Sequence, residues 1–241
     1  MIKQIKYLKN LTKNVAIKRE FTLIDLRNFF NNDGISYDDL KCDGNFDGKG
    51  CTFPAEELPP SNSIVNIDLV PYYFPSKERG FSNNMVLSGQ TIAFEPRKYK
   101  TLHILGAVDG QSGEVYEEEV VASLDDGSYK SLRVGLSHWL LPPKYNEKIA
   151  FLCSHLHYPD SGQQIINNTE APKIDGYLES TDHFYSSLAY DEKSDAEESK
   201  KGVWRPRLFV QKTHFELDQN IAALTVMDNL NFHIFSLTLE F

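Results

Sequence analysis

The stretch NFHIFSLTLEF at residues 231–241 is the clearest indicator of the fold. From His233 to Phe241 every odd-numbered residue is a histidine or a large apolar residue, whereas serine, threonine and glutamate occur only at even-numbered positions. A period of two residues places these two sets on opposite faces of an extended chain. The C-terminal stretch therefore predicts a β-strand.

Nine further runs of the same kind precede this strand and are separated by Gly, Pro, Asn and Asp. They occupy residues 21–26, 64–70, 92–94, 101–107, 115–123, 129–134, 149–157, 207–215 and 221–226. Asp125-Asp126-Gly127-Ser128 predicts a hairpin turn, because Asp-Gly supplies the positive φ angles that such a turn needs. Many short strands joined by turns are typical of an antiparallel β-sandwich or barrel.

The chain divides into a short arm and one large domain. Residues 1–20 carry six Lys or Arg residues and one Glu, although the whole chain has a net charge of −9. We interpret residues 1–20 as a basic N-terminal arm and residues 21–241 as one β-sandwich domain. The polar segment at residues 159–202, which ends in DEKSDAEESKKG, predicts a long excursion between two strands.

Charge and hydropathy exclude several classes of protein. The acidic body argues against a nucleic-acid partner, because it repels the phosphate backbone. No apolar run approaches the ~20 residues of a membrane span, and lysines interrupt the N-terminus where a secretory signal would be apolar. Cys42, Cys51 and Cys153 lack metal-ligand spacing and favour reduced thiols. We therefore expect a cytoplasmic protein, unless an export signal was removed.

The loop DGNFDGKG at residues 43–50 resembles the first half of a calcium-binding loop. Asp43, Asn45 and Asp47 alternate and Gly48 follows, which is the spacing of oxygen ligands around Ca²⁺. The twelfth position of the motif is Pro54, so an EF-hand is excluded. Three alternatives stay open: a structural calcium site completed by Glu56, Glu57 or Glu240, a ligand-contacting loop, and a tight turn.

Two histidines form a second candidate site. His155 and His157 would lie on one face of a strand, so their imidazoles could share a metal ion with the carboxylate of Asp160. The alternative is a pair of solvent-facing histidines without a ligand.

Aromatic residues outside the alternating positions form a third group. Aromatic planes stack on the C–H faces of sugar rings, and neighbouring polar side chains bind the hydroxyl groups. The candidate ligand-binding residues are Tyr72, His138, Trp139, His157, Tyr158, Trp204 and Arg205. Core packing is the alternative for each aromatic residue. The chain lacks G-x-S-x-G, a phosphate-binding loop and G-x-G-x-x-G, so a protein without catalysis is favoured.

Five segments carry a resemblance to a known family. They are FFNNDGIS at 29–36, DGNFDGKG with CTFPAEELPP at 43–60, FSNNMVLSGQTIAF at 81–94, LHILGA at 102–107 and NLNFHIFSLTLE at 229–240. In this order they resemble the non-catalytic β-sandwich domain at the C-terminal end of bacterial glycoside hydrolases, such as α-L-fucosidase-like and α-mannosidase-like enzymes. The resemblance implies a galactose-binding-like jelly roll.

The same resemblance implies a function. We expect a non-catalytic carbohydrate-binding or glycoside hydrolase accessory module, whose partners are a carbohydrate and a separate catalytic protein. One alternative is a glycan-active hydrolase or lyase that uses the histidine strand. Another is a protein-interaction subunit in which the acidic body and the excursion contact a partner.

Overall fold

The structure is a computed structural model that describes residues 19–38, 43–110, 116–157, 183–185, 193 and 205–241. Within these ranges it contains fifteen strands and a 3₁₀ helix at Ala55–Glu57. The strands are β1 (Phe21–Ile24), β2 (Ile35–Ser36), β3 (Phe53–Pro54), β4 (Ser63–Ile67), β5 (Val70–Phe74), β6 (Met85–Ser88), β7 (Thr91–Arg97), β8 (Thr101–Val108), β9 (Glu117–Leu124), β10 (Tyr129–Gly135), β11 (Lys148–Leu152), β12 (His183–Tyr185), β13 (Arg207–His214), β14 (Ile221–Val226) and β15 (Asp228–Glu240). The all-β prediction is confirmed.

The two largest sheets are antiparallel. The first has the order β1-β15-β8-β13-β11, with β6 also paired to β15. The second has the order β10-β9-β14-β7. A smaller sheet, β12-β4-β5, contains one parallel pair, and β2 pairs with β3 in parallel. The antiparallel β-sandwich that the sequence predicts is thus present.

Strand β15 is central to the first sheet and is covered on both faces. Every residue from Phe232 to Leu239 is buried. Strand β5 lies against it, since the Ser236 hydroxyl accepts a hydrogen bond from the backbone N–H of Tyr73 (3.1 Å) and the Thr238 hydroxyl donates one to the carbonyl oxygen of Pro71 (2.6 Å). Buried hydroxyls are tolerated when they are bonded in this way. The alternation therefore predicted the strand, and both of its faces are internal.

One hydrophobic core unites the sheets. Phe74 from β5 and Phe151 from β11 meet edge to face, with ring centroids 6.0 Å apart, and Phe53 from β3 meets Phe235 from β15 at 6.1 Å. Each ring is at most 1% exposed. Burial of one such side chain stabilises the fold by about 1.5–3 kcal/mol.

Sequence and structure agree on the position of most strands. The turn at residues 125–128 joins β9 to β10 as predicted, with Gly127 at a φ of 83°. The strand predicted at 149–157 is shorter in the structure, where β11 ends at Leu152. Strands β2, β3, β5 and β6 were missed, as was β12, which lies within the predicted excursion.

Other sequence-based predictions fall partly beyond the described ranges. Residues 1–18 of the basic arm, Cys42 and most of the excursion at 159–202 lie outside them. Cys51 and Cys153 are buried free thiols. In the described part of the chain, no helix has the length and hydropathy to cross a membrane.

Candidate functional site

Trp139 is a core residue and not a ligand contact. It is 1% exposed, and its ring centroid lies 4.8 Å from that of Phe46 and 5.1 Å from that of Phe53. Its backbone N–H donates to the carbonyl oxygen of Val108 (2.8 Å), which fixes this inward position. A sugar ring that approaches from solvent has no open face of the indole to stack on.

Two other predicted ligand-binding residues, His138 and Arg205, are described and are at least partly buried. His138 is partly buried, and burial lowers its pKa more than the nearby carboxylate of Asp109 raises it. Arg205 is 6% exposed, and its carbonyl oxygen accepts a hydrogen bond from the guanidinium of Arg207 (3.0 Å). Tyr158 and Trp204 lie outside the described residues.

The loop at residues 43–50 is organised by its own hydrogen bonds. The Asp47 carboxylate accepts backbone N–H bonds from Lys49 (2.9 Å) and Cys51 (3.0 Å), and the Asn45 side-chain oxygen accepts one from Gly50 (2.7 Å). Gly50 has a φ of 87°, which favours glycine. This is the bonding pattern that the tight-turn alternative predicts, so calcium at this loop stays a prediction.

Glu240 is not brought to that loop. The Phe46 ring of the loop contacts His233, with centroids 4.1 Å apart, and Glu240 lies seven residues further along β15, about 23 Å at the rise of a strand. Its carboxylate accepts two hydrogen bonds from the guanidinium of Arg19, both 2.8 Å long, and lies 3.0 Å from Nε2 of His103. Glu240 is therefore an ion-pair partner of Arg19.

The charge state of this pair follows from its contacts. The hydrogen bonds from Arg19 lower the pKa of Glu240 to about 2. Burial lowers the pKa of His103 more than Glu240 raises it, so that ring is neutral at pH 7. The charged interaction is thus between Arg19 and Glu240.

Tyr72, the remaining member of the predicted set, lines a pocket beside these residues. The pocket encloses about 150 Å³ and lies between the turn that joins β4 to β5, the segment before β11, and β13. Ile67, Val70 and Val210 supply its apolar lining. Its polar lining consists of Arg19, Asp68, Tyr72, His103, Asn146, Lys148, Gln211 and Lys212. The pocket thus combines an aromatic ring, amides and three cationic side chains.

The cations of the pocket differ in their partners. Lys148 is paired with Asp68, at 2.9 Å between ammonium and carboxylate, and Arg19 is paired with Glu240. Among the described residues, Lys212 has no ion-pair partner. Gln211 is occupied, since its amide nitrogen donates to the carbonyl oxygens of Gly135 (3.0 Å) and Tyr145 (2.7 Å).

The rim of the pocket contains unusual backbone. Asp68, Leu69 and Asn146 adopt φ angles of 50°, 66° and 59°. Asp and Asn tolerate this left-handed region, whereas for leucine it costs roughly 1–2 kcal/mol. Leu69 is also 72% exposed. Such backbone conformations persist only where the surrounding structure holds them in place, and they are common at binding sites.

A second cluster of side chains surrounds His155 and His157. Nε2 of His155 lies 3.1 Å from Oδ1 of Asp38, and Nε2 of His157 contacts the same oxygen. These three donor atoms lie within 4.8 Å of one another. The histidines are 7% and 5% exposed, so the prediction of solvent-facing histidines is wrong. Asp38 supplies a carboxylate beside both rings, while Asp160, the carboxylate that the sequence suggested, lies outside the described residues.

Glu57 completes the surroundings of this cluster. Its Oε1 lies 3.0 Å from Nδ1 of His155, and its Oε2 accepts the backbone N–H of Ser154 (2.5 Å). Burial lowers the pKa of His155, but the hydrogen bonds to Glu57 and Asp38 outweigh this effect and raise the pKa above its ordinary value. Within the described residues, Asp38, His155 and His157 are the group that could hold a metal ion.

The sequence did not reveal Asp38 or Glu57. Each lies about one hundred residues before the histidines, and neither belongs to a spaced motif. Thr52 joins the N-terminal segment that contains Asp38 and Glu57 to the segment that contains the histidines. Its backbone exchanges two hydrogen bonds with that of His157 (3.1 and 3.3 Å). An isolated bridge of this kind has no signal in the hydropathy pattern.

Comparison with known proteins adds a family to this geometry. A family model described as an AziU2-like beta-sandwich domain matches residues 20–174, which is more than half of the chain. The matched range contains Tyr72 and the cluster formed by Asp38, Glu57, His155 and His157. No curated protein matches the chain.

Proposed function

We propose that this chain, which belongs to the AziU2-like β-sandwich domain family, is a carbohydrate-binding module that takes an acidic sugar in the pocket beside Tyr72. The observation that carries this proposal is the unpaired cation of Lys212 in a pocket that Tyr72 borders. A sugar carboxylate would supply the missing negative charge.

The charge of the pocket sets the class of sugar. Three cationic side chains and one carboxylate line it, while the chain as a whole has a net charge of −9. A local excess of positive charge on an acidic protein attracts small anions. Lys148 and Arg19 already have carboxylate partners, so Lys212 is the cation that a uronic acid would pair with.

Size and polarity limit the ligand further. The enclosed 150 Å³ is smaller than the roughly 300–1,000 Å³ of pockets for drug-sized molecules, which suits a single sugar residue. Asn146 offers an amide for the sugar hydroxyls, and Tyr72, only 2% exposed, borders the pocket. The galactose-binding-like jelly roll and the accessory role beside a separate catalytic protein belong to the same proposal.

Calorimetric titration tests the proposal. Glucuronate and galacturonate are compared with glucose and galactose, and we expect binding of at least one acid with a clear preference over its neutral counterpart. The Lys212→Gln variant should bind that acid at least about tenfold more weakly, a loss of about 1.4 kcal/mol. Lys130→Gln, an exposed lysine of β10, is the matched control and should leave the affinity unchanged.

Two results would contradict the proposal. One is equal affinity of Lys212→Gln and the parent protein for the acid, because the carboxylate would then bind elsewhere. The other is no heat for either acid at millimolar concentration while a neutral sugar binds.

A further inference from the structure

The cluster at Asp38 is independent of the Tyr72 pocket and offers a different chemistry. We propose that Asp38, His155 and His157 bind a divalent transition-metal ion, with Zn²⁺ as the ion to which this donor set is best suited. Two imidazole nitrogens and one carboxylate oxygen are a common protein ligand set for Zn²⁺.

The spacing of one pair of donor atoms fits a shared ion, whereas Nε2 of His157 lies closer to Oδ1 of Asp38 than two ligands of one ion would. Zn²⁺ binds histidine nitrogen and carboxylate oxygen at about 2.0–2.2 Å. Ligands at that radius lie about 3.3 Å apart in a tetrahedral site and about 2.9 Å apart in an octahedral one. The separation of 3.1 Å between Nε2 of His155 and Oδ1 of Asp38 falls between these values.

The surroundings orient one histidine for coordination. A metal-binding histidine donates its second ring N–H to a carboxylate or carbonyl, which fixes the tautomer and leaves a lone pair on the other nitrogen. Glu57 stands in that position, 3.0 Å from Nδ1 of His155. The backbone N–H of Ser154 holds the Glu57 carboxylate from its other side (2.5 Å).

The charge balance also favours a cation. Asp38 and Glu57 contact the histidines, and Glu56 accepts the backbone N–H of Asp38 (3.1 Å). Two carboxylates thus contact two nearly buried imidazoles, which are neutral when they coordinate a metal, and a third lies beside the backbone of Asp38. A divalent ion would offset that negative charge.

A different cation lies nearby but is occupied. Nζ of Lys77 donates to the carbonyl oxygens of Ala55 (2.6 Å) and Leu58 (3.1 Å), at the two ends of the 3₁₀ helix.

The site is reachable from solvent on one side. The histidine side chains are 9% and 6% exposed, whereas the Asp38 side chain is 31% exposed. An ion can therefore enter past Asp38, and an Asp38 substitution removes a ligand without opening the core.

Zn²⁺ titration of the full chain after treatment with EDTA tests this inference. We expect one ion per chain and a loss of affinity of at least tenfold in each of Asp38→Ala, His155→Ala and His157→Ala. His214→Ala is the matched control, because this exposed histidine of β13 bonds to Thr101 and should leave the affinity unchanged. Circular dichroism of each metal-free variant shows whether it is folded.

The Glu57→Gln variant tests whether Glu57 orients His155 through its charge or only packs against it. It keeps the shape of the side chain but removes the negative charge, and loss of such a supporting contact typically weakens metal binding 10–100-fold. Co²⁺ substitution gives a second readout, since the visible absorption of bound Co²⁺ should change in Glu57→Gln and disappear in Asp38→Ala. Equal Zn²⁺ affinity of the parent and a folded Asp38→Ala variant, or no stoichiometric binding by the parent, would overturn the inference.

Discussion

Glu240 joins the start of the described chain to its end through one charged contact. Its carboxylate binds Arg19 through two hydrogen bonds, next to the pairing of β1 with β15. The pair is partly exposed, so solvent weakens it relative to its geometry. Its contribution to stability should nevertheless be measurable, because the pKa of Glu240 falls to about 2.

The Glu240→Gln variant should be destabilised at neutral pH and not in acid. A carboxylate with a lowered pKa stabilises the fold above its unfolded pKa, near 4.5, and loses that effect as the pH falls through its folded pKa of about 2. We expect a deficit of about 1–2 kcal/mol at pH 7 that narrows below pH 4.5. Urea unfolding of both proteins between pH 2 and pH 7 measures it, and a deficit independent of pH would contradict the ion pair.

Asp47 tests the loop at residues 43–50. Asp47→Ala removes the acceptor of two backbone N–H groups, so we expect a loss of about 1–2 kcal/mol in the free energy of unfolding. If the loop is only a turn, Asp47→Ala loses the same free energy of unfolding in EDTA, Mg²⁺ or Ca²⁺. Thermal melts decide between the alternatives, since a Ca²⁺-dependent rise in the parent that is absent in the variant would establish the calcium site.

Single-residue roles were the least predictable from the sequence. Tyr72 could be proposed as a ligand contact because aromatic residues are common at sugar sites, and it does line a pocket. Trp139 carried the same signal, and both side chains are almost fully buried, at 1% exposed for Trp139 and 2% for Tyr72. The sequence around an aromatic residue does not show whether its ring lines a pocket or packs in the core, because the surroundings of the ring are apolar in both cases.

Strands were predictable where their alternation or apolar run was long. Strand β14 has the predicted boundaries, and β15 is longer than predicted by three residues at its start. The run at 64–70 hid a hairpin, because Leu69 is not typical of a turn position with positive φ, although Asp68 is tolerated there. Strands β2 and β3 have two residues each, which is too short for a period to be seen.

Leu69→Gly should stabilise the hairpin of β4 and β5. The substitution creates the Asp-Gly pair that this turn geometry favours and relieves the left-handed φ of 66°. We expect a gain of about 0.5–1 kcal/mol in the free energy of unfolding, measured by urea denaturation. Leu230→Gly, at an equally exposed leucine within β15, is the control and should be destabilising. A loss of stability in Leu69→Gly would show that the leucine side chain contributes contacts that outweigh the strain.

At the scale of the whole molecule, the sequence predicted the class of fold but not which distant residues meet at the candidate sites. The antiparallel sandwich follows from many short runs and the turns between them, which are local signals. Asp38 meets His155 across 117 residues, and the Tyr72 pocket joins segments from Arg19 to Lys212. Such contacts depend on the order of strands in the sheets, and hydropathy does not specify that order.

The central claim is that an acidic sugar binds in the pocket beside Tyr72. The most direct test is to titrate ¹⁵N-labelled protein with glucuronate and galacturonate and to follow the backbone amide signals. Binding at this site predicts that saturable shifts concentrate at Asp68, Asn146 and Lys212, which line the pocket from three separate segments. Shifts that concentrate at His138 and Trp139 instead, or no shifts at millimolar sugar, would contradict it.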